Sequence, residues 1–190
     1  MSKIQFDKPG NFLYPLPAVM VSCSDKKGRN NIITIAWTGT VCSDPPMVYI
    51  SVRKERYSYP MIKETGEFVI NLPSEDLTYA LDKAGCTTGK KIDKFREMGL
   101  TPAKSNAVDC VSIAEAPVCL ECKVTQVLEL GSHDMFLAEV VSVSVDEKFL
   151  DEKGVFHMDR CNLVAYEHGA YRKMAETIGT FGYSVRKKKN

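Results

Sequence analysis

Three short stretches of the sequence combine residue types that do chemistry. In "SVRKERYSY", Ser51, Arg53, Arg56 and Ser58 place hydroxyls and guanidinium groups where an apolar run gives way to a helical pattern. In "CTTGKKIDKF", Thr87, Thr88 and Gly89 precede a second helical pattern that carries Lys90, Lys91 and Lys94. A fork of donors, hydroxyls and backbone N–H groups at a helix entry is the set a phosphate requires. Either stretch alone reads equally as a solvated charge run, whereas two of them favour one phosphate shared between both. In the third stretch, "NIITIAWTGT", Thr34, Ala36 and Thr38 share one parity and Trp37, the single tryptophan, has the other. Small side chains on one strand face let a flat ligand approach the backbone closely. The plain alternative is a core tryptophan among strand-forming threonines.

The bulk numbers bound what such a site can belong to. The chain has 190 residues, with 25 Lys and Arg against 24 Asp and Glu. One domain, 1–190 with its core over about 12–184, suits that length, and a formal charge of +1 supplies no global field for nucleic acid or an anionic membrane. An anion must be held locally. No signal-peptide pattern or membrane-length apolar run is present, so a soluble, cytoplasmic protein is expected.

Seven cysteines make an odd number without a disulfide framework and are read as reduced thiols. Cys119 and Cys122 form a C-x-x-C, but they lie in "PVCLECKVTQVLELG", whose alternation reads as a half-buried strand. Residues three apart on a strand face opposite ways at roughly 10 Å, beyond the ~7 Å reach of a disulfide. No partner motif completes a zinc site, and no metal is expected. A metal–thiolate site would need folding to gather Cys42, Cys86 and Cys161. Cys42 and Cys86 also flank the chemistry-bearing stretches, which makes either thiol a candidate neighbour of a bound ligand.

These stretches need elements to position them. "AVMVSCS" and "NIITIAW" read as a hairpin around the charged turn "DKKGRN", with "MVYISV" as a further strand beyond the "SDPP" break. A helical turn ended by Gly66, the strand "FVINLP", a helix with Ser74 as N-cap and a short helix before Gly99 follow. "PVCLECKVTQVLEL" and "MFLAEVVSVSV" form a long antiparallel pair about "GSHD", and the tail is expected to hold one helix and a basic terminus. Six or seven strands with short helices point to a mostly β, α+β architecture, a closed or nearly closed antiparallel barrel. No Rossmann or Walker glycine motif appears.

The ordered set "AVMVSCSDKKGRNNIITIAW", "DPPMVYISV", "GEFVINLPSEDL", "KIDKFREMGLTP", "GSHDMFLAEV" and "YRKMAETIGTFGYS" resembles the flavin reductase-like family of FMN-binding split barrels, particularly its flavoredoxin-type members. The resemblance implies a homodimeric antiparallel split β-barrel with short peripheral helices that binds FMN non-covalently near the subunit interface. It places Thr34, Ala36, Trp37 and Thr38 along the isoalloxazine ring. Ser51, Arg53 and Ser58 match the phosphate and ribityl segment, and Thr88, Gly89, Lys94 and Phe95 the loop and helix that close over the cofactor. Tyr166 and Tyr171 approach the ring from the C-terminal region or serve as packing residues.

In family members fed by a nicotinamide, a G-D-H turn lies near the flavin. Here Gly131, Ser132, His133 and Asp134 stand in that place. His133 is kept as a candidate catalytic residue, while serine replaces the acid, which weakens the expectation of direct hydride acceptance from NADH or NADPH. The implied function is an FMN-dependent oxidoreductase or electron-transfer protein, fed by a nicotinamide or by a redox protein partner. The alternatives are an NAD(P)H-dependent flavin or ferric reductase, and a non-catalytic flavin- or haem-binding module.

Overall fold

The computed structural model describes residues 1–186. The expected basic terminus extends into residues 187–190, which lie outside the described residues. In chain order the elements are β1 (Leu16–Pro17), β2 (Val19–Ser24), β3 (Asn30–Ile35), β4 (Thr38–Ser43), β5 (Pro46–Val52), α1 (Ser58–Thr65) and β6 (Glu67–Leu72). They continue with α2 (Thr78–Cys86), α3 (Lys94–Met98), β7 (Pro102–Ala103), β8 (Ser112–Ile113), β9 (Val118–Leu130), β10 (His133–Val145), β11 (Val164–Glu167) and β12 (Ala170–Lys173).

The main sheet has seven strands in the order β3-β2-β6-β9-β10-β5-β4, and each of its pairings is antiparallel. Its two edge strands, β3 and β4, are consecutive in the chain and separated only by Ala36 and Trp37. A sheet whose opposite edges are joined by so short a link must curl until they meet. The Ser51 N–H donates to the Trp37 carbonyl at 2.9 Å, which extends the β4–β5 pairing into that link. The result is the antiparallel split barrel expected from the sequence.

Two cores lie on the two sides of the sheet. Val21, Ile33, Ile50, Phe68, Cys122 and Phe136 fill the barrel, with Met61 and Ile62 of α1 closing one end. Met20, Ile32, Val69 and Cys119 face outward and are covered by Leu81 and Ala84 of α2 and Phe95 of α3. Strand β2 is therefore buried on both faces, and so is the first part of β9, which corrects the half-buried reading of that strand. Cys119 and Cys122 sit in different cores, and burial pushes their thiols up to about 11 and about 12. All seven cysteines are free. Among the described residues no metal-holding group of His, Cys, Asp and Glu forms, so Cys42, Cys86 and Cys161 are not gathered into one.

Other local expectations also shift. The apolar strand ends at Ile35 rather than Trp37, and the small-residue run after it is a strand of its own, β4. Ser74 precedes a single 3-10 turn and makes no side-chain cap, whereas Asp93 caps α3 by accepting the Arg96 N–H at 3.2 Å. The tail holds no α-helix among the described residues. Instead β11 and β12 form a hairpin whose turn, His168–Gly169, has φ of 46° and 94°, the doubly positive geometry of a tight two-residue turn. Among the described residues, no helix is long and apolar enough to cross a membrane.

Candidate functional site

Two clefts open at the seam. The narrow one, of about 280 Å³, is lined by Asn31, the Glu55–Ser58 segment, Thr87, Thr88, Gly89 and Lys94. The wide one, of about 360 Å³, is lined by Thr34, Ala36, Trp37, Ser51, Arg53, His133, Tyr166 and Tyr171. Ile33, Arg56 and Gly85 line both, so the clefts run together. The two hydroxyl and cation stretches, distant in sequence, thus meet at the narrow cleft.

The narrow cleft is shaped by buried polar contacts. Asn31 Nδ2 donates to the Ser58 hydroxyl at 2.7 Å, and both residues are buried. Lys94 is 3% exposed, and its ammonium donates to the Ile32 and Ala84 carbonyls at 2.7 and 2.6 Å. Burial, reinforced by the Arg56 charge, pushes Lys94 down to about 8. A Cβ on Gly89 would lie 2.1 Å from Asn31 Oδ1 and 2.9 Å from the Tyr57 ring. Only glycine lets the Thr87–Gly89 loop close this far.

The wide cleft is walled by side chains. The Trp37 and His133 rings lie parallel within 10°, centroids 6.4 Å apart. Burial and the nearby Arg53 charge lower the His133 pKa below the ordinary imidazole value. Tyr166 and Tyr171 face each other across β11 and β12, and the Tyr171 hydroxyl donates to Asp82 on α2 at 3.1 Å. The Thr34 hydroxyl donates to the Leu81 carbonyl. A Cβ on Gly85 would press within 3.1 Å of Thr34 Cβ, so this glycine lets α2 lie against β3.

Of the residues singled out in the sequence, Thr34, Ala36, Trp37, Ser51, Arg53, His133, Tyr166 and Tyr171 line the wide cleft and Ser58, Thr88, Gly89 and Lys94 the narrow one. Lys90 and Lys91 line neither, because they lie in the turn before α3 and not on the helix, and two of the residues placed at the cofactor also line neither. Thr38 is buried in β4 with its hydroxyl donating to the Tyr49 carbonyl at 2.6 Å, because the bend at Ala36–Trp37 breaks the parity it would have shared with Thr34. Phe95 packs into the outer core; the neighbouring Lys94 is the α3 residue turned to the cleft. Asn31, Gly85 and the bridging position of Arg56 were missed. The i, i+3 relation of Arg53 and Arg56 in a turn was the available signal for the last. Neither Cys42 nor Cys86 lines the clefts.

A split antiparallel barrel with a cleft at its seam, flat-walled at one end and donor-lined at the other, is built to hold an extended ligand with a planar ring and an anionic end. Residues 12–175 match the model of the "Flavin reductase like domain" family, and the chain belongs to that family. Its fold is similar to that of flavoredoxin from Desulfovibrio vulgaris (Miyazaki F), with a TM-score of 0.89 and 31% identity over 97% of this chain and 100% of the other. Flavoredoxin from Methanosarcina acetivorans shares the fold with a TM-score of 0.88 and 24% identity over 97% of both chains. An uncharacterized protein of Archaeoglobus fulgidus is 32% identical over 142 residues, 75% of this chain and 79% of that protein.

Proposed function

We propose that the protein is a flavoprotein that holds FMN non-covalently in the joined clefts and passes electrons through it. Family membership makes flavin-linked electron transfer the class of chemistry. The observation that carries the assignment to FMN is the continuity of the two clefts at Ile33, Arg56 and Gly85. One end offers aromatic faces and small side chains, the other cations, hydroxyls and a glycine-limited loop, as an extended ligand with a ring and a phosphate demands. The donor set fits the group: Arg56, Lys94, Ser58 and Thr88 at the phosphate, Ser51 and Arg53 along the chain, and Thr34, Ala36 and Trp37 at the ring.

FMN, when bound, supplies the reversible redox chemistry. The protein supplies position, charge and access. Arg56 and Lys94 hold the anionic end, Asn31 keeps the Ser58 hydroxyl in place, and Tyr166 and Tyr171 shield the wide cleft from water on the side of the β11–β12 hairpin. Purified protein is expected to be yellow and to release FMN on denaturation. A colourless preparation that takes up no FMN at micromolar concentration overturns this reading.

A second reading, an NAD(P)H-dependent flavin or ferric reductase, is favoured by the His133 ring set parallel to Trp37 in the wide cleft, where a further planar ring can lie. Rapid anaerobic bleaching of the flavin by NADH or NADPH supports it; no bleaching favours a redox protein as donor. Steady turnover with any acceptor excludes a purely binding module.

A homodimer belongs to the same proposal. Phe12 and Leu13 of the N-terminal segment and Val141, Val143 and Val145 of β10 are exposed apolar residues, a pattern that suits burial against a second copy. A monomer in sedimentation at micromolar concentration removes it.

A further inference from the structure

Strand β10 carries a carboxylate that this reading does not use. Asp134 is fully buried and shares the inward face of the strand with Phe136 and Ala138. Its Oδ2 accepts a hydrogen bond of 2.5 Å from the Tyr59 hydroxyl. Its Oδ1 has no hydrogen-bond partner and lies 3.4 Å from Lys54 Nζ. A buried carboxylate with one oxygen hydrogen-bonded and the other held only by an ion pair to a half-exposed lysine is no more stabilising than an apolar residue of similar size in the same place. Glu121 is also buried but needs no such account, because its carboxylate accepts the backbone N–H groups of Asn106 and Ala107.

The groups that Asp134 reaches indicate its use. Lys54 is the second residue after β5, and Tyr59 lies in the first turn of α1. Arg53 precedes the first anchor, and Arg56 lies between the two. Lys54 also pairs with Glu129 on β9 at 3.4 Å, and Lys63 donates to the Tyr59 hydroxyl at 3.2 Å. The turn itself is held by the Arg56 N–H on the Arg53 carbonyl at 3.0 Å and the Tyr59 N–H on the Arg56 carbonyl at 2.9 Å. With Lys54 and Tyr59 drawn towards β9 and β10, Arg53 and Arg56 are left facing the clefts.

We propose that Asp134 is a positioning residue: through Lys54 and Tyr59 its carboxylate holds the segment 53–58 so that Arg53 and Arg56 face the clefts. The proposal rests on the reading of the clefts as an FMN site and adds a residue that never touches the ligand.

Riboflavin, which has the ring of FMN without the phosphate, separates this role from general support of the fold. Asp134→Asn keeps the shape of the side chain and removes the charge that draws Lys54. Lys54→Met removes the same contact from a half-exposed side chain and leaves the core untouched. Both variants are expected to bind FMN about tenfold more weakly and riboflavin at most about twofold more weakly, since Arg56 meets the phosphate and Arg53 the chain that both ligands share. The double variant should be no weaker than Asp134→Asn, since one contact is lost in each case. Hydrogen exchange at the Arg56 and Tyr59 amides should quicken about tenfold in both.

Unchanged FMN binding in Lys54→Met overturns the proposal. So does an equal loss for FMN and riboflavin, which marks damage to the fold as a whole. If Asp134→Asn does not fold, Lys54→Met decides alone. If the wild type takes up no FMN, it is the reading of the clefts that fails. Amide exchange then still decides on Asp134: faster exchange in Lys54→Met upholds the positioning role, and unchanged exchange overturns it.

Discussion

The two joined clefts are built by different means. The narrow one is set by main chain and buried polar contacts: Lys94 on two carbonyls, Asn31 on Ser58, and a loop that closes only because Gly89 has no side chain. The wide one is set by partly exposed rings, Trp37, His133, Tyr166 and Tyr171, standing on three separate elements and the bend at the seam. Groups locked by backbone contacts are already ordered, so little entropy is lost when a ligand meets them. An aromatic wall leaves room for a second molecule. The contrast suits a rigid anchor at the anionic end and an accessible working end, and it is open to direct test.

The largest effects are expected at the anchor, from filling it and from removing its arginine. Gly89→Ala places a methyl group against Asn31 and Tyr57 and should cost about 1–3 kcal/mol of FMN binding, up to about a hundredfold in a fluorescence titration. Unaltered affinity would show that the loop gives way and that the anchor is not rigid.

Next come the arginines. Arg56 lines both clefts, whereas Arg53 lines only the wide one and pairs with Glu55 at 3.7 Å. Arg56→Ala should weaken FMN by about 1.5–3 kcal/mol, with Arg53→Ala well below that. Equal losses would erase the distinction between the two ends.

A pH titration probes the anchor without mutation. Lys94 is pushed down to about 8 from its ordinary 10.5, and a bound phosphate favours its charged form. FMN affinity should therefore fall as pH rises through about 8, while riboflavin affinity stays flat. Folding runs the other way. The unfolded lysine keeps its proton up to 10.5, so between about 8 and 10.5 the folded state binds fewer protons and its stability rises with pH. A flat FMN profile over that window would remove Lys94 from the anionic end.

A smaller effect belongs to the wide cleft. Trp37→Leu should weaken FMN and riboflavin alike by about 0.5–1.5 kcal/mol, the worth of one aromatic contact. A loss confined to FMN would place the tryptophan at the wrong end. Cys42→Ser should change nothing in a dithionite titration, because this thiol on β4 donates to the Asp44 carbonyl at 3.4 Å and lies outside both clefts.

Much of this was legible in the sequence wherever local rules decide. The alternation of β5, β9 and β10, the glycine stops at Gly66 and Gly99, and the two hydroxyl and cation stretches all stand in the order of residues. The β11–β12 hairpin was not: the tail is expected to hold a helix, and β12 stands at its start because Tyr171 pairs with Tyr166 across the His168–Gly169 turn. Nor was the β3–β4 break. "IAWTGTVCS" has no turn residue where the strand ends; the bend at Ala36–Trp37 arises because two sheet edges must join there.

The sequence by itself determined which residue types were available: a basic, hydroxyl-rich pair of segments, one tryptophan, and strands enough for a barrel. Tertiary structure alone decided that Arg56 bridges the clefts, that Thr38 and Phe95 turn away from them, and that Asp134 is buried behind Lys54 and Tyr59. The physical reason is that side-chain direction follows strand parity and turn phase. Closing the barrel resets both at the seam, where contacts distant in sequence outweigh local pattern.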